Sequence, residues 1–148
     1  MDLKQLARTY LTDNNHMQLA TVHDGNPWLC TVYFVADDNF NLYWTSGRSR
    51  QHSLEILTNP SAAVTVVRDT ERKQALQIVW QAYEVSDDEL EKVHELYQSK
   101  FGAKDYDLEV MKKHDPEGRS YWMLKPTRIS FWDVVNFPES PKQSFSLE

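Results

Sequence analysis

A polar segment at residues 45–52 holds the residue types best suited to chemistry in this sequence. It carries the guanidinium groups of Arg48 and Arg50 and the imidazole of His52, and the surrounding range 39–54 contains no acidic residue. An arginine presents a planar fork of donors that matches the oxygens of a phosphate or a carboxylate. In a chain whose formal net charge is −6, such a locally basic segment indicates an anion site.

The same segment leads into a predicted helix, whose first backbone N–H groups would be free to bind an anion. We predict that Thr45, Ser49, Arg50 and Gln51 hold a phosphate ester at the end of the third strand. The competing interpretation is that Ser49 only caps the helix and that the arginines are solvated surface residues. Residue spacing alone does not separate these two interpretations.

Other common catalytic arrangements are absent from the sequence. The five histidines are never three or four residues apart, so no helical metal-binding pair and no metal site are expected. Cys30 is the only cysteine and lies mid-strand, where a small buried thiol favours a role in the core. The sequence has no Gly-x-Ser-x-Gly motif, and its four glycines are too dispersed for a phosphate-binding loop. Chemistry is therefore expected from a bound cofactor, and no catalytic side chain is predicted.

Aromatic side chains form the second notable group. Tyr43 and Trp44 directly precede the basic segment, and Trp122, Phe131 and Trp132 lie in the last predicted strands. Planar ring systems stack on such side chains. Most of these aromatics are expected to fill a core, but an aromatic wall beside an anion site also suits a phosphorylated heteroaromatic cofactor.

Length and composition restrict the class of protein. A chain of 148 residues suits a single domain spanning 1–148, and its charge of −6 opposes binding to a nucleic-acid backbone. Its uncharged runs are shorter than the roughly 18 apolar residues that span a bilayer. The first residues lack the basic and then apolar pattern of a secretory signal. We therefore expect a soluble cytoplasmic protein with neither a nucleic-acid nor a membrane partner.

Hydrophobic periodicity predicts a mainly β protein with helices, of the α+β class. The strands are joined mostly by turns too short for crossover helices, so they must pair antiparallel, and a small sheet of six or seven such strands usually closes into a barrel. The range 137–148, with its prolines and serines, is expected to be a loose tail. The predicted helices span 2–12, 50–58 (with Leu54 and Leu57 facing inward) and 86–101, and the predicted strands span 17–22, 28–35, 40–45, 62–67, 75–85, 121–124 and 129–135.

Two motifs carry a family resemblance. The run Leu-Tyr-Trp-Thr-Ser-Gly-Arg-Ser-Arg-Gln-His at 42–52, followed by Asn-Pro at 59–60 and the strand 62–67, resembles the flavin segment of the pyridoxamine 5′-phosphate oxidase-like split-barrel family. The segment 126–132, Pro-Thr-Arg-Ile-Ser-Phe-Trp, is similar to that family's Pro-x-x-Ile-x-Phe-Trp strand. The order of helices and strands resembles the family up to about Trp132.

The resemblance implies a homodimer of six-stranded antiparallel split β-barrels that binds FMN in two clefts at the subunit interface. In this sequence it implies that Ser49 and Arg50 bind the phosphate. The further cofactor contacts that it implies are Trp44 and Thr45 before the turn, Thr31 and Val32 beside the isoalloxazine ring, and Trp132 near the flavin.

Three departures from the family pattern limit what the resemblance implies. Gln51 stands where the oxidase has a phosphate-binding lysine, and Arg48 or His52 is expected to compensate for the missing charge. Trp80 replaces a glycine and would crowd the fifth strand. After Trp132 the chain lacks the Arg-x-His segment that grips the vitamin phosphate in the oxidase, so oxidation of vitamin B6 is not expected.

These observations predict an FMN-binding protein that acts as a flavin-dependent oxidoreductase on an unidentified small-molecule substrate. Two alternatives stay open. One is a carrier or sensor that binds flavin or haem without turnover, with His52 or His23 as an axial haem ligand. The other is a related barrel that uses a deazaflavin or no cofactor.

Overall fold

The computed structural model describes residues 1–147, which form four α-helices, one short 3₁₀-helix and eight β-strands. No helix among these residues is both long and apolar enough to cross a membrane. In chain order the elements are α1 (Leu3–Asp13), β1 (His16–His23), β2 (Asn26–Tyr33), β3 (Val35–Ala36), β4 (Leu42–Gly47), α2 (Gln51–Thr58), β5 (Ser61–Asp69), β6 (Gln74–Glu84), a 3₁₀-helix (Asp87–Glu89), α3 (Leu90–Phe101), α4 (Leu108–Met111), β7 (Arg119–Asp133) and β8 (Lys142–Ser146).

All strands join one antiparallel sheet that curls into a half-barrel. Its order is β2-β1-β5-β6-β7-β4-β3, and β8 pairs with β7 off this path. The predicted α+β class and split-barrel architecture are therefore confirmed. The six long strands β1, β2, β4, β5, β6 and β7 are those of the predicted barrel, and the structure adds the two-residue β3 and the C-terminal β8.

Two apolar clusters fill the fold. The larger one lies inside the half-barrel, where alternate residues of each strand point inward, as Met17 and Leu19 do on β1. Helix α1 covers this cluster with Tyr10 and Leu11, which confirms the predicted amphipathic helix. The smaller cluster lies under α3 and contains Leu90, Val93 and Tyr97, the face that the sequence predicted, together with Tyr43 and Tyr121 from the sheet.

The β1–β2 hairpin closes more tightly than predicted. Its turn consists of Asp24 and Gly25, both left-handed with φ of 50° and 78°, the geometry that suits the twist of two antiparallel strands. Strand β2 consequently begins at Asn26 and includes Pro27. A proline is tolerated there because β2 is an edge strand and needs no donor on its free side.

Two strands predicted at 121–124 and 129–135 are one continuous strand in the structure. β7 runs from Arg119 to Asp133 and passes through Pro126, which lies in the gap between the two predicted strands. The register shifts between Val79 and Trp80 on β6, so that β7 carries an extra residue at this point. This β-bulge absorbs the proline without ending the strand.

The predicted crowding by Trp80 is wrong. Its side chain is 51% exposed, although the residues two places away on β6, Ile78 and Ala82, are fully buried. The β-bulge interrupts the inward and outward alternation here, so the indole lies at the surface.

The prediction of a loose tail over 137–148 is wrong for most of that range. Lys142–Ser146 forms strand β8, which pairs with β7 from Trp132 to Arg128. Phe145 packs against the larger cluster, where its ring meets that of Phe40 at 5.5 Å. Glu148 lies outside the described residues.

Helix α2 does not point the predicted residues inward. Leu54 and Leu57 are 52% and 57% exposed, whereas His52, Ser53, Glu55 and Ile56 are buried. The helix is one residue shorter at its start than predicted, and of its apolar side chains only Ile56 packs into the larger cluster, whereas Leu54 and Leu57 face solvent.

Candidate functional site

The turn between β4 and α2 leaves the first N–H groups of the helix unpaired. Arg50 N donates to Gly47 O at 3.2 Å, and Leu54 N makes the first helical bond to Arg50 O at 3.0 Å. The N–H groups of residues 51–53 find no acceptor among residues 1–147. Arg50 is the N-cap residue, and no side chain caps the helix, so the predicted capping role of Ser49 is wrong.

Ser49 and Arg50 stand exposed at this helix start. Neither side chain makes a hydrogen bond or an ion pair within the described chain. A free hydroxyl, a free guanidinium and three unpaired N–H groups at the positive end of a helix dipole are the components of an anion site. The structure therefore brings together the residues that the sequence singled out at 49–50.

Gln51 is less available than its neighbours, because its side-chain Nε2 donates to Glu55 Oε2 at 2.9 Å. Glu55 is 8% exposed and also accepts from Thr21 Oγ1 at 2.9 Å. The sequence analysis missed Glu55, and its i, i+4 spacing from Gln51 on one helix was the only signal for it. The amide of Gln51 is thus committed in part to a buried carboxylate.

Arg48 does not compensate for the lysine that Gln51 replaces. Its guanidinium is buried and binds Glu84 Oε2 through Nε at 3.0 Å and Nη2 at 2.9 Å. It also donates to the carbonyl oxygens of Met111 at 2.9 Å and Asp115 at 3.1 Å. With these contacts made, Arg48 fastens the turn to the segment before β7 and has no capacity for a ligand.

The backbone at Gly118 packs closely against Arg48. Arg48 N donates to Gly118 O at 2.8 Å, and a Cβ at Gly118 would lie 3.3 Å from Arg48 Nη1 and 3.2 Å from Asp115 O. A larger residue at 118 would therefore disturb both the guanidinium and the carbonyl that it contacts.

His52 does not supply the missing charge either. Its Nε2 shares a hydrogen bond with Ser46 Oγ at 2.9 Å, and the ring is 8% exposed. Burial lowers the pKa of His52 and the nearby Arg50 lowers it further, although Glu55 acts in the opposite direction. The neutral ring thus joins β4 to α2, and Arg50 is left as the cation of the helix start.

Trp44 and Thr45 differ in what they can offer a cofactor. Trp44 is fully buried in the larger cluster, where its Nε1 has no hydrogen-bond partner among the described residues. Thr45 is half-buried, and its Oγ1 donates to Ser120 O at 3.1 Å and accepts from Arg119 Nη1 at 3.3 Å. The indole of Trp44 is therefore enclosed by the core, whereas Thr45 lies nearer the surface.

Thr31 and Val32 lie on the edge strand β2. Thr31 is exposed, and Val32 packs partly on the larger cluster opposite Met17. Helix α2 lies near the inner side of this hairpin, because Glu55 contacts Thr21 on β1. An open groove of about 610 Å³ lies along α2, lined by His23, Ser49, Gln51, Leu54, Glu55, Leu57 and Thr58.

Trp132 lies far from this groove within one chain. It is 41% exposed on β7, which is separated from β2 by β6, β5 and β1. Four strand spacings place the two strands about 19 Å apart along the sheet. A single subunit therefore does not bring Trp132 together with Thr31 and Val32.

Asp133, which follows Trp132, is a buried carboxylate whose hydrogen bonds all lie within the chain. It is fully buried and accepts hydrogen bonds from Tyr10 Oη at 2.8 Å and Asn136 Nδ2 at 2.7 Å, and from the backbone N of residues 135 and 136. Burial acts to raise the pKa of Asp133, but the hydrogen bonds from Asn136 and Tyr10 outweigh it and hold the pKa below its ordinary value. This carboxylate fixes the chain reversal after β7.

Comparisons with known proteins agree with the fold. The family model described as pyridoxamine 5′-phosphate oxidase matches residues 3–133. A search of the curated proteins finds no match.

Several solved structures share the architecture. The haem-binding protein from Mycobacterium smegmatis superposes with a TM-score of 0.74 at 18% identity over 99% of this chain, which spans 58% of that protein's length. The General Stress Protein 26 from Bacillus anthracis superposes with a TM-score of 0.69 at 17% identity. The superposition covers 99% of this chain and 100% of that protein. A pyridoxamine 5′-phosphate oxidase-related, FMN-binding protein from Nostoc punctiforme superposes with a TM-score of 0.68 at 14% identity. The superposition covers 100% of this chain and 97% of that protein. At these identities the likeness establishes the fold.

Proposed function

Because the chain belongs to the pyridoxamine 5′-phosphate oxidase family, we propose that it binds FMN at the start of α2 and acts as a flavin-dependent oxidoreductase on a small-molecule substrate. One observation carries the proposal. The helix start has no side-chain cap and presents unpaired N–H groups beside the free Ser49 hydroxyl and Arg50 guanidinium. A phosphate monoester is the anion that such a set of donors suits best.

The donors available fit a phosphate, but with limited charge. Among the three basic residues at 48–52, only Arg50 is available as a cation, because Arg48 is bound to Glu84 and His52 is neutral and buried. Ser53, in the first turn of α2, is fully buried, and its Oγ has no partner in residues 1–147. We therefore expect the phosphate to be held mainly by N–H and O–H donors, with one charge-assisted contact from Arg50.

The protein's part in the reaction would be to bind and orient the cofactor. FMN, when bound, would supply hydride transfer, and the surrounding chain would set its position and its exposure to water. Thr31 and Val32 are the residues we assign to the edge of the ring system, with Thr45 and Gln51 beside the phosphate. No side chain of the described residues is assigned as catalytic.

We further propose that the protein is a homodimer and that its cofactor site is shared. Trp132 and the β2 residues Thr31 and Val32 lie on strands that three others separate in one chain, and a second copy that placed its Trp132 beside β2 would bring these residues to one flavin. The free edge of β2 also exposes Leu29 at 64% and Tyr33 at 60%, and an uncovered apolar edge strand favours association.

Oxidation of vitamin B6 is not the activity we propose. The place after Trp132 is taken by Asp133, whose carboxylate is buried and occupied by Tyr10, Gln74 and Asn136. A buried acid at this position would not attract the phosphate of a substrate. The substrate therefore remains a small molecule of another kind.

The test is to purify the protein and identify what copurifies by absorption and mass spectrometry. FMN predicts flavin bands and the mass of the mononucleotide. Bleaching of those bands by NADH under anaerobic conditions supports an oxidoreductase, whereas a flavin that dithionite reduces but NADH does not supports a carrier. A protein that binds no FMN even when it is added in excess contradicts the proposal.

A haem carrier is the second candidate, and His23 is the observation that favours it. His23 lines the groove beside the exposed Leu54 and Leu57, so an imidazole and an apolar surface lie together, as an iron porphyrin would require. His52 suits this role less well because its ring is buried and its Nε2 is bound to Ser46. His23 is exposed, and a haem would have to displace its contacts with Asp24 at 3.2 Å or Thr58 at 3.4 Å. A Soret band that His23→Ala shifts or removes would support this candidate over the flavin.

A further inference from the structure

A second polar pocket lies at the opposite side of the molecule from the β4–α2 turn. It has a volume of about 780 Å³, and α1, the loop after β3, the β-bulge of β7 and the end of β8 contribute to its walls. None of its lining residues belongs to the groove along α2. It therefore has to be explained separately from the cofactor site.

Three cations converge on this pocket. Lys4 and Arg8 reach it from α1, and Lys125 reaches it from β7. Within residues 1–147 none of the three has a carboxylate oxygen within ion-pair distance. Among residues 1–147 the one acidic residue of the lining is Asp38, so the described lining carries a net charge of +2 in a chain whose net charge is −6.

The walls of the pocket are held in place without a ligand. Arg8 Nη2 donates to Asp38 O at 3.4 Å, and its guanidinium lies 4.6 Å from the centre of the buried Phe40 ring. At the other side, Leu147 N donates to Thr127 O at 2.8 Å. A preorganised pocket loses little conformational freedom when it binds.

The arrangement of charge is unfavourable unless an anion is present. Lys4 and Arg8 are four residues apart on one helix, where two like charges repel each other, and Lys125 adds a third. We propose that this pocket binds a small dianion, either a phosphate ester or a dicarboxylate, at a site separate from the cofactor site. The guanidinium and the two ammonium groups would bind its oxygens, and the ring of Phe40 supports Arg8 from below.

Isothermal titration with inorganic phosphate and with succinate, each at pH 8 in 150 mM NaCl, tests the proposal. We expect saturable binding of at least one of them, and the preferred probe identifies the phosphate or the carboxylate as the ligand chemistry. Lys4→Gln and Lys125→Gln should each weaken binding about threefold or more, and the double variant about tenfold. Circular dichroism confirms that these exposed substitutions leave the fold intact.

Two control variants make the result specific. Lys104→Gln removes the same charge from an exposed loop outside the pocket and should leave the affinity unchanged. Arg50→Ala should keep the binding that depends on Lys4 and Lys125, whereas loss of that binding in this variant would assign the probe to the cofactor site and overturn the proposal. Absence of binding by both probes, or an equal loss in Lys104→Gln, overturns it as well.

The neighbouring acidic residue provides one more control. Glu148 follows Leu147, which lines the pocket. Binding of the same strength in Glu148→Gln supports an external dianion. Binding that occurs only in Glu148→Gln would mean that the chain's own carboxylate competes for the cations, and it would overturn the proposal.

Discussion

Arg48 and Arg50 lie two residues apart on one turn and do different work. The guanidinium of Arg48 is buried against Glu84 and two carbonyl oxygens, whereas that of Arg50 is exposed and unpaired within the described chain. The partners of Arg48 come from segments 36 to 67 residues further along the chain. Arg48 thus holds the turn in shape, and Arg50 is the residue free to meet a ligand.

Replacing Arg48 should cost stability rather than affinity alone. Arg48→Met leaves the Glu84 carboxylate without its cation in a largely buried position, and we expect the free energy of unfolding to fall by about 3 kcal/mol. Urea denaturation measures this change. The double variant Arg48→Met, Glu84→Gln removes the unpaired charge and should recover part of the loss, and a full loss in the double variant would contradict the pairing.

The buried carboxylate of Asp133 should make the protein sensitive to acid. Its pKa is lower in the folded chain than in the unfolded one, because hydrogen bonds from Asn136 and Tyr10 outweigh the effect of burial. The stability that it contributes is therefore complete above its unfolded pKa of about 3.9, and it is lost as the pH falls through the folded pKa. Unfolding free energies measured between pH 6 and pH 2 should show this loss in the wild type.

Asp133→Asn is the matched variant for that measurement. The amide keeps the shape of the side chain but cannot titrate, so the protein should be less stable at pH 6 and should lose less of its stability below pH 4 than the wild type. If the free energy of unfolding fell equally with pH in the two proteins, another carboxylate would control the acid transition.

Among the elements, the smaller cluster under α3 contains tyrosines that resist ionisation. Burial raises the pKa of Tyr97 to about 12, and burial also raises the pKa values of Tyr43 and Tyr121. These phenols ionise in the unfolded chain near pH 10 but not yet in the folded one. The unfolded state therefore loses protons first, and stability should fall as the pH rises above about 10.

Tyr97→Phe isolates one of these groups. The Tyr97 hydroxyl has no hydrogen bond within residues 1–147, so the substitution removes the ionisable group with little change in packing. Unfolding free energies between pH 9 and pH 12 should fall less steeply in the variant than in the wild type. An identical slope would show that Tyr97 is not protected from ionisation in the folded state.

Sequence periodicity predicted the elements whose signals are local. The amphipathic α1 and the buried face of α3 follow from apolar spacing within one helix, and both were correct. β7 was divided in two because Pro126 reads as a break, and only the neighbouring strand shows that a bulge accommodates it. β8 was missed because its flanking prolines and its serines are typical of a loose tail, whereas in the structure it pairs with β7, the strand that precedes it in the chain.

In the candidate site, too, features with a local sequence signal were predicted and features that depend on distant contacts were not. The helix start with its neighbouring Ser49 and Arg50 was predicted from residue types within a few positions, but the absence of a side-chain cap was not. The burial of Arg48 could not be found in this way, because its partner Glu84 is brought to it by the sheet. The outward direction of Leu54 and Leu57 likewise depends on which face of α2 the sheet covers.

For the whole molecule, the proposed dimer explains why apolar side chains remain uncovered along β2 and α2. Leu29→Asp places a charge on the free edge strand at a residue that is 64% exposed, so it should leave the subunit folded but convert the dimer to a monomer. Sedimentation velocity measures the state of association. Because the cofactor site is proposed to be shared, FMN binding should be lost with the dimer.

Val110→Asp is the control for that experiment. Val110 is 50% exposed on α4, which belongs to neither β2 nor α2, and the same substitution there should leave both association and FMN binding unchanged. A wild-type protein that sediments as a monomer and still binds FMN would refute the shared site.

The most direct measurement of the central proposal is a titration of FMN, followed by quenching of its fluorescence, against the wild type, Arg50→Ala and Arg72→Ala. Arg72 is an exposed arginine of the β5–β6 turn and controls for the loss of one positive charge. Removing the charge-assisted contact of Arg50 should weaken binding by about 1.5 to 3 kcal/mol, while Arg72→Ala leaves it unchanged. An affinity that Arg50→Ala does not alter would contradict the assignment of the phosphate to the start of α2.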